Sequence, residues 1–237
     1  MQKILSTMRK AVEKYKLIED GDKIAVGLSG GKDSLVLLKA LKMFQRFGIY
    51  NYQIMAITID IYSGDEDYSH LKKFCEEMDV EFVLEQTDIH KVVFDERKEK
   101  NPCSLCAKMR RGALNSIASK YGCNKIALGH HLQDVIETFF LSLLYEGRLS
   151  TMKPKSYMSN SKMTLIRPLF LTHEKSIKSV SKDFPVKKSK CPADKDSKRQ
   201  DIEKLIESIN NQIPESKKRI ESAIISTESY NLLDKEW

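Results

Sequence analysis

The chain has 237 residues, 41% hydrophobic and 31% charged, with a formal net charge of +7. That balance suits an α/β domain with an appendage and excludes disorder for most of the length. No apolar run approaches the ~18 residues of a membrane span, and Met1-Gln2-Lys3-Ile4-Leu5 lacks the long apolar core of a signal peptide, so a cytoplasmic protein without membrane contact is expected.

In chain order, Ile4, Met8, Val12 and Tyr15 form a helical stripe over residues 2–18 with basic residues between them. Residues 23–28 read as a buried strand. Ser29-Gly30-Gly31-Lys32-Asp33-Ser34 then turns the chain, and Leu35-Val36-Leu37-Leu38 opens a helix over 33–47. A strand, a glycine turn and a helix start gather backbone N–H groups and the positive end of a helix dipole around one small volume, which suits phosphate. Ser29 and Ser34 add hydroxyls, and Lys32 adds a charge. The usual P-loop, G-x-x-x-x-G-K-[ST], is excluded, because it needs glycine where Val26 stands and Ser or Thr where Asp33 stands. Further strands are expected at 53–60, 81–86 and 125–129, and helices at 65–79, 104–121 and 132–146. This alternation implies a doubly wound parallel sheet with helices on both faces. Ligands in such sheets bind at the carboxyl ends of strands, where Ser29, Asp60 and Gly129 fall. The polar residues 150–162 read as a surface loop or hairpin, and Leu165 to Leu169 as a last, edge-type strand. Thr172 is placed to cap a helix over 173–183 in which Glu174 and Lys178 stand four apart. Helices near 197–211 and 214–228 complete a small helical appendage. The expected organisation is an N-terminal helix (1–20), a nucleotide-binding domain (21–170) and a C-terminal appendage (171–237).

Five cysteines in a cytoplasmic chain argue against a disulfide framework. Cys75 and Cys123 read as core. Pro102-Cys103-Ser104-Leu105-Cys106 is a C-x-x-C at a helix start, where the dipole and nearby Lys108, Arg110 and Arg111 favour thiolate. A redox pair, a zinc site lacking its second ligand pair, and a [4Fe-4S] cluster completed by Cys191 with one iron open all remain compatible with the spacing. The segment Ala127-Leu128-Gly129-His130-His131-Leu132-Gln133-Asp134 is a second candidate site: Gly129 lets backbone approach a nucleotide, and Asp134 can cap a helix or act as a carboxylate. Basic residues flank the cysteines, with Lys182, Lys187, Lys188 and Lys190 on one side of Cys191 and Lys195, Lys198 and Arg199 on the other. That makes them candidates for an RNA surface.

Ser29 to Ser34 resembles the pyrophosphate-binding loop of the ATP pyrophosphatase (PP-loop) superfamily. Cys103 to Cys106 with Arg110-Arg111-Gly112, Ile126 to His131, Ile166-Arg167-Pro168-Leu169, and Cys191 followed by Arg199-Gln200 come in the order of the tRNA 2-thiocytidine synthetase (TtcA) family. The resemblance runs over about residues 2–208. It implies an adenine nucleotide alpha hydrolase-like fold and an ATP-dependent enzyme that adenylates the C2 carbonyl of a pyrimidine in tRNA, cytidine 32 in the best-known members, and replaces the oxygen with sulfur. It implies a [4Fe-4S] cluster on Cys103, Cys106 and Cys191, magnesium, a sulfur donor such as a cysteine desulfurase, and admits a homodimer. Leu28, Ser29, Gly30, Gly31, Lys32, Asp33, Ser34, Asp60 and Gly129 would bind ATP. Lys32, Arg110 and Asp134 would serve catalysis, with Asp33 or Asp134 as the metal or catalytic carboxylate. Three features depart from the family: Gln133 precedes a single Asp134 where two acids are usual, Lys188 stands where a second cysteine is common, and members are longer at both ends. A uridine-54 branch carries zinc-binding C-x-x-C pairs at its termini, and this chain has none. Lysidine synthesis, 2-thiouridine synthesis and a zinc-stabilised non-catalytic RNA-binding module are the competing readings.

Overall fold

The structure, a computed structural model, describes residues 1–97, 102–187 and 198–226. Six strands form one sheet: β1 (Lys23–Gly27), β2 (Gln53–Asp60), β3 (Glu81–Gln86), β4 (Lys125–Ala127), β5 (Lys155–Met158) and β6 (Met163–Ile166), in the order β3-β2-β1-β4-β6-β5. All neighbours are parallel except β5 and β6. The short apolar runs Ile24-Ala25-Val26 and Ile126-Ala127 are buried on both faces, as central parallel strands require. The helices are α1 (Gln2–Tyr15), α2 (Lys32–Gln45), α3 (Ser69–Glu76), α4 (Pro102–Lys120), α5 (Leu132–Glu146), α6 (Glu174–Val180), α7 (Lys198–Gln212) and α8 (Ser216–Ile225). Two apolar clusters cover the sheet. One joins α1, α2 and α3 to one face through Met8, Val12, Leu37, Leu41 and Phe74, and the other seats Leu114, Ile117 and Ala118 of α4 against Ala25, Met55 and Ile57.

Several expectations are corrected. The strand after the polar stretch is β6, and it is interior, because the stretch itself supplies β5 as the antiparallel edge. Thr172 does not cap α6: His173 holds the N-cap position with no side-chain capping hydrogen bond, and the Thr172 hydroxyl lies 2.8 Å from that of Thr7. A π-helical turn over Lys91–Glu96 follows β3. The chain divides into two compact units, Met1–His131 with Lys153–Asp194, and Leu132–Met152 with Lys195–Trp237. α1 and α6 belong to the first unit, and α5 joins α7 and α8 in the second. Among the described residues no helix is long and apolar enough to cross a membrane.

Candidate active site

The Ser29 to Ser34 loop is built where β1 ends. Leu28 extends the pairing with β2 by donating its N–H to Ile57 O at 2.8 Å, and its carbonyl accepts the Thr58 hydroxyl at 2.7 Å. Gly30 then takes φ +80°, a conformation that L side chains rarely adopt, and the chain enters α2 at Gly31. Ser34 is buried: its hydroxyl donates to Gly31 O at 2.9 Å and accepts the Ser29 N–H at 3.2 Å. The two serine hydroxyls, 3.2 Å apart, therefore shape the loop from within. No side chain caps α2, so the N–H groups of its first turn, on Lys32, Asp33 and Ser34, have no intrahelical partner and face the site.

Gly129, at the end of β4, closes the loop from the side. A Cβ there would lie 2.9 Å from both C and O of Asp33 and 3.0 Å from Ser34 N, so the position admits glycine alone. The following histidines diverge. Buried His131 turns Nε2 to 3.5 Å from Asp33 Oδ1, while His130 Nδ1 accepts from Arg167 Nε at 3.3 Å. The Ile166-Arg167-Pro168-Leu169 motif thus meets the His130-His131 motif by a direct side-chain contact.

Lys32 Nζ lies 3.1 Å from Asp33 Oδ2 and 3.2 Å from Glu174 Oε1 on α6. Burial lowers the pKa of this ammonium, but the two carboxylates outweigh that and hold it above its ordinary value. Glu174, also bound by Lys178 at 2.8 Å, sits below the usual carboxylate range, since the two ammonium groups overcome its desolvation. Glu174 is a site residue that the sequence offered only as a helix-surface partner of Lys178.

Asp60, fully buried at the end of β2, commits its carboxylate to the chain that follows. It accepts Tyr62 N–H at 2.9 Å, Gly64 N–H at 2.6 Å and the Tyr68 hydroxyl at 3.2 Å. Burial, then Asp60, pushes the Tyr68 hydroxyl well above the ordinary phenol range, against the opposing field of Arg110. That electrostatic reach brings Arg110, exposed on α4, to the same end of the sheet.

The C-x-x-C occupies the first turns of α4, started by Pro102. Cys103 is exposed; Cys106 is buried among Ile61, Ile89 and Val93, which lie beyond the carboxyl ends of β2 and β3. Cys75 and Cys123 are core residues, as expected. Burial pushes the Cys75 thiol up to about 12 and raises that of Cys123. Cys191, with Lys188, Lys190 and Lys195, lies outside the described residues, and among the described residues no three His, Cys, Asp or Glu side chains converge on a metal position. Two thiols one helical turn apart, one facing solvent and one backed by an apolar cluster, nonetheless fit an iron–sulfur donor set.

In the second unit, Asp134 lies in the first turn of α5, and its Oδ1 is 2.7 Å from Arg199 Nη1. Arg199 also reaches Glu137 Oε2 at 3.4 Å, and Gln133 Nε2 donates to Glu137 Oε1 at 3.0 Å. Burial raises the Glu137 carboxyl above its usual range. Gln133, which departs from the family's second acid, here satisfies a buried carboxylate. Arg199 is therefore a partner of acids, and so is Lys187, whose ammonium bonds Glu66 and whose N–H donates to Gly30 O at 3.1 Å.

A model of the PP-loop domain matches residues 2–202. The tRNA-cytidine(32) 2-sulfurtransferase of Citrifermentans bemidjiense is 36% identical over 98% of this chain and 93% of its own length. The chain belongs to the tRNA-cytidine(32) 2-sulfurtransferase family. A 2-sulfurtransferase of this name from Francisella philomiragia is 33% identical over 99% of this chain and 93% of its own. Among solved structures, the U34-tRNA thiolase NcsA from Methanococcus maripaludis, held with its [4Fe-4S] cluster, superposes with a TM-score of 0.72 at 27% identity, covering 93% of this chain and 76% of that one. The fold places the Ser29 to Ser34 loop and the C-x-x-C at the carboxyl edge of a single sheet.

Proposed function

We propose that this sulfurtransferase uses ATP to adenylate the C2 carbonyl of cytidine 32 in tRNA and then replaces the oxygen with sulfur. The observation that carries the proposal is the uncapped start of α2, with Lys32 beside it and Gly129 against it, at the sheet edge that also bears Cys106. The C2 oxygen is a poor leaving group. Attack by that oxygen on the α-phosphorus of ATP expels pyrophosphate, and a sulfur nucleophile then adds at C2 while AMP departs with the oxygen.

The first-turn N–H groups and Lys32 hold the phosphates, and they stabilise the charge that builds on them. Ser29, Gly30 and Gly31 keep the loop open to them, Leu28 ties the start of the loop to β2, and Asp60 holds the segment that follows β2. Asp33, between Lys32 and His131, orients the lysine, and magnesium bound by Asp33 would offset phosphate charge. Arg110 steadies the adenylated base or an RNA phosphate. Cys103, Cys106 and Cys191 would hold a [4Fe-4S] cluster, which when bound supplies a thiophilic metal for the sulfur in transfer. Sulfur comes from a donor protein such as a cysteine desulfurase, and the cytoplasm is the proposed location.

The test is nucleoside mass spectrometry of tRNA from a deletion strain. Loss of 2-thiocytidine with recovery on complementation is expected, and unchanged 2-thiocytidine would overturn the reading. RNA labelled with 18O at C2 of the target should deliver that label to AMP.

A further inference from the structure

Beyond the sheet, the segments after β2 and β3 stay paired. Asp60 O accepts Thr87 N–H at 2.9 Å, Thr87 O accepts Ser63 N–H at 3.2 Å, Ile61 O accepts His90 N–H at 2.9 Å, and the Ser63 hydroxyl donates to Asp88 Oδ1 at 2.7 Å. The chain then enters the π-helical turn Lys91–Glu96, closed by the bond from Arg97 N–H to Val92 O at 3.0 Å. Such wide turns are rare and recur at functional sites. Together the paired segments and the turn assemble a ladder of three rings. Tyr62 and His90 have centroids 4.9 Å apart at 36°, and His90 and Phe94 are stacked at 4.7 Å and 24°.

The core beneath is filled by other side chains, which leaves the rings at its border. Ile61, Ile89 and Val93 are buried with Cys106, while Tyr62, His90 and Phe94 are only half-buried. Leu105 and Met109 of α4 border the same cluster, so the ladder stands beside the turns that carry the C-x-x-C. On α4, Lys108, Arg110 and Arg111 bring positive charge; on the π turn, the acids Asp95 and Glu96 offset Lys91 and Arg97. The net positive side is therefore α4.

We propose that the Tyr62–His90–Phe94 ladder is a stacking platform for an unpaired base of the RNA substrate, next to the nucleotide being modified. This rests on the reading that the chain acts on tRNA. Loop bases offer π faces that aromatic side chains capture, and adjacent cations take the phosphates. None of the three rings belongs to the nucleotide loop, so the platform separates RNA binding from ATP use.

The experiment uses the full chain and an anticodon stem-loop RNA carrying 2-aminopurine at each loop position in turn. Stacking quenches this base, so at least one position should lose fluorescence on binding. His90→Ala and Phe94→Ala should each restore fluorescence at that position and weaken RNA affinity roughly tenfold. His90→Phe and Phe94→Tyr, which keep the stack, should retain both, and ATP affinity measured by nucleotide titration without RNA should be unchanged in all four. A second arm needs no variant: photolysis of 5-iodouridine stem-loops on the unaltered protein should cross-link within residues 62–94. Stem-loop that binds and is thiolated, with no cross-link there and normal quenching in both alanine variants, would overturn the platform alone. No RNA binding by the unaltered protein would overturn the platform and the tRNA reading together.

Discussion

At Gly129, space for a side chain is what the fold removes. Its neighbours at 2.9 Å are the backbone of Asp33, which cannot swing aside without deforming the first turn of α2. Gly129→Ala should cost about 1–3 kcal/mol of stability through overpacking and should weaken ATP binding at least tenfold, read by thermal melts and nucleotide titration. Gly112 is the contrast: it is exposed in α4 with nothing within 4 Å, so Gly112→Ala should raise stability by about 0.5–1 kcal/mol. The Lys32–Glu174 pair makes a prediction in pH. The Glu174 pKa is held below its ordinary 4.5, so the pair's contribution is present above that value and fades as pH falls through the depressed pKa. The Lys32 pKa is held above its ordinary 10.5, so the contribution persists to that pH and fades as pH rises through the raised pKa. Glu174→Gln should therefore lower the urea midpoint at neutral pH, by an amount worth about 1 kcal/mol. The deficit should narrow as the medium is acidified below 4.5. A deficit that stayed constant into strong acid would mean that Glu174 acts by packing rather than charge.

Between elements, charge pairing decides which basic residues are available to RNA. Arg199 joins α7 to Asp134 and Glu137 of α5, so Arg199→Ala should cost about 1–2 kcal/mol and speed amide exchange in both helices. Lys187 is likewise committed to Glu66. The exposed Lys3, Lys10 and Lys14 of α1 are better placed for phosphate. Reversing these three should flatten the slope of log K against log salt by about 0.7–0.9 for each phosphate no longer neutralised, whereas Lys187→Glu should leave the slope alone and lower the melting temperature. The sequence could not show this, because Lys187 and Glu66 are 121 residues apart and only the fold joins them. What it could show was periodic. The expected spans 53–60 and 81–86 are the observed β2 and β3, and 132–146 is α5, because each is an apolar run or stripe bounded by polar or turn residues. β5 was legible only as one side of the alternative between loop and hairpin, because Lys155 and Ser156 are polar and Tyr157 is exposed on an edge strand, and β6 read as an edge for want of it. Thr172 looked like a cap because caps are local, but its partner is Thr7, 165 residues away. The phosphate loop and the C-x-x-C were legible because their chemistry is carried by contiguous residues; Glu174 and the ring ladder were not, because each is assembled from separate elements.

For the molecule as a whole, the proposed metal centre separates the cysteines into two kinds. Cys103→Ala, Cys106→Ala and Cys191→Ala should each abolish the brown absorbance and the iron of anaerobically purified protein, while Cys75→Ala and Cys123→Ala should keep both. Bound zinc in place of iron after anaerobic reconstitution would defeat the assignment. The strand order carries a different consequence, for synthesis. β1 lies between β2 and β4, and its register with β4 pairs Ile24 with Lys125, about a hundred residues downstream. A chain emerging from the ribosome therefore makes the Ser29 to Ser34 loop early but lacks the backbone at Gly129 that abuts it until β4 has been translated. Until then one flank of β1 has no neighbour, and non-local pairing of this kind is slow to form and prone to misassociation. Competence for ATP thus arrives only after more than half of the polypeptide has been made, so a truncated product carries the loop sequence without the means to use nucleotide.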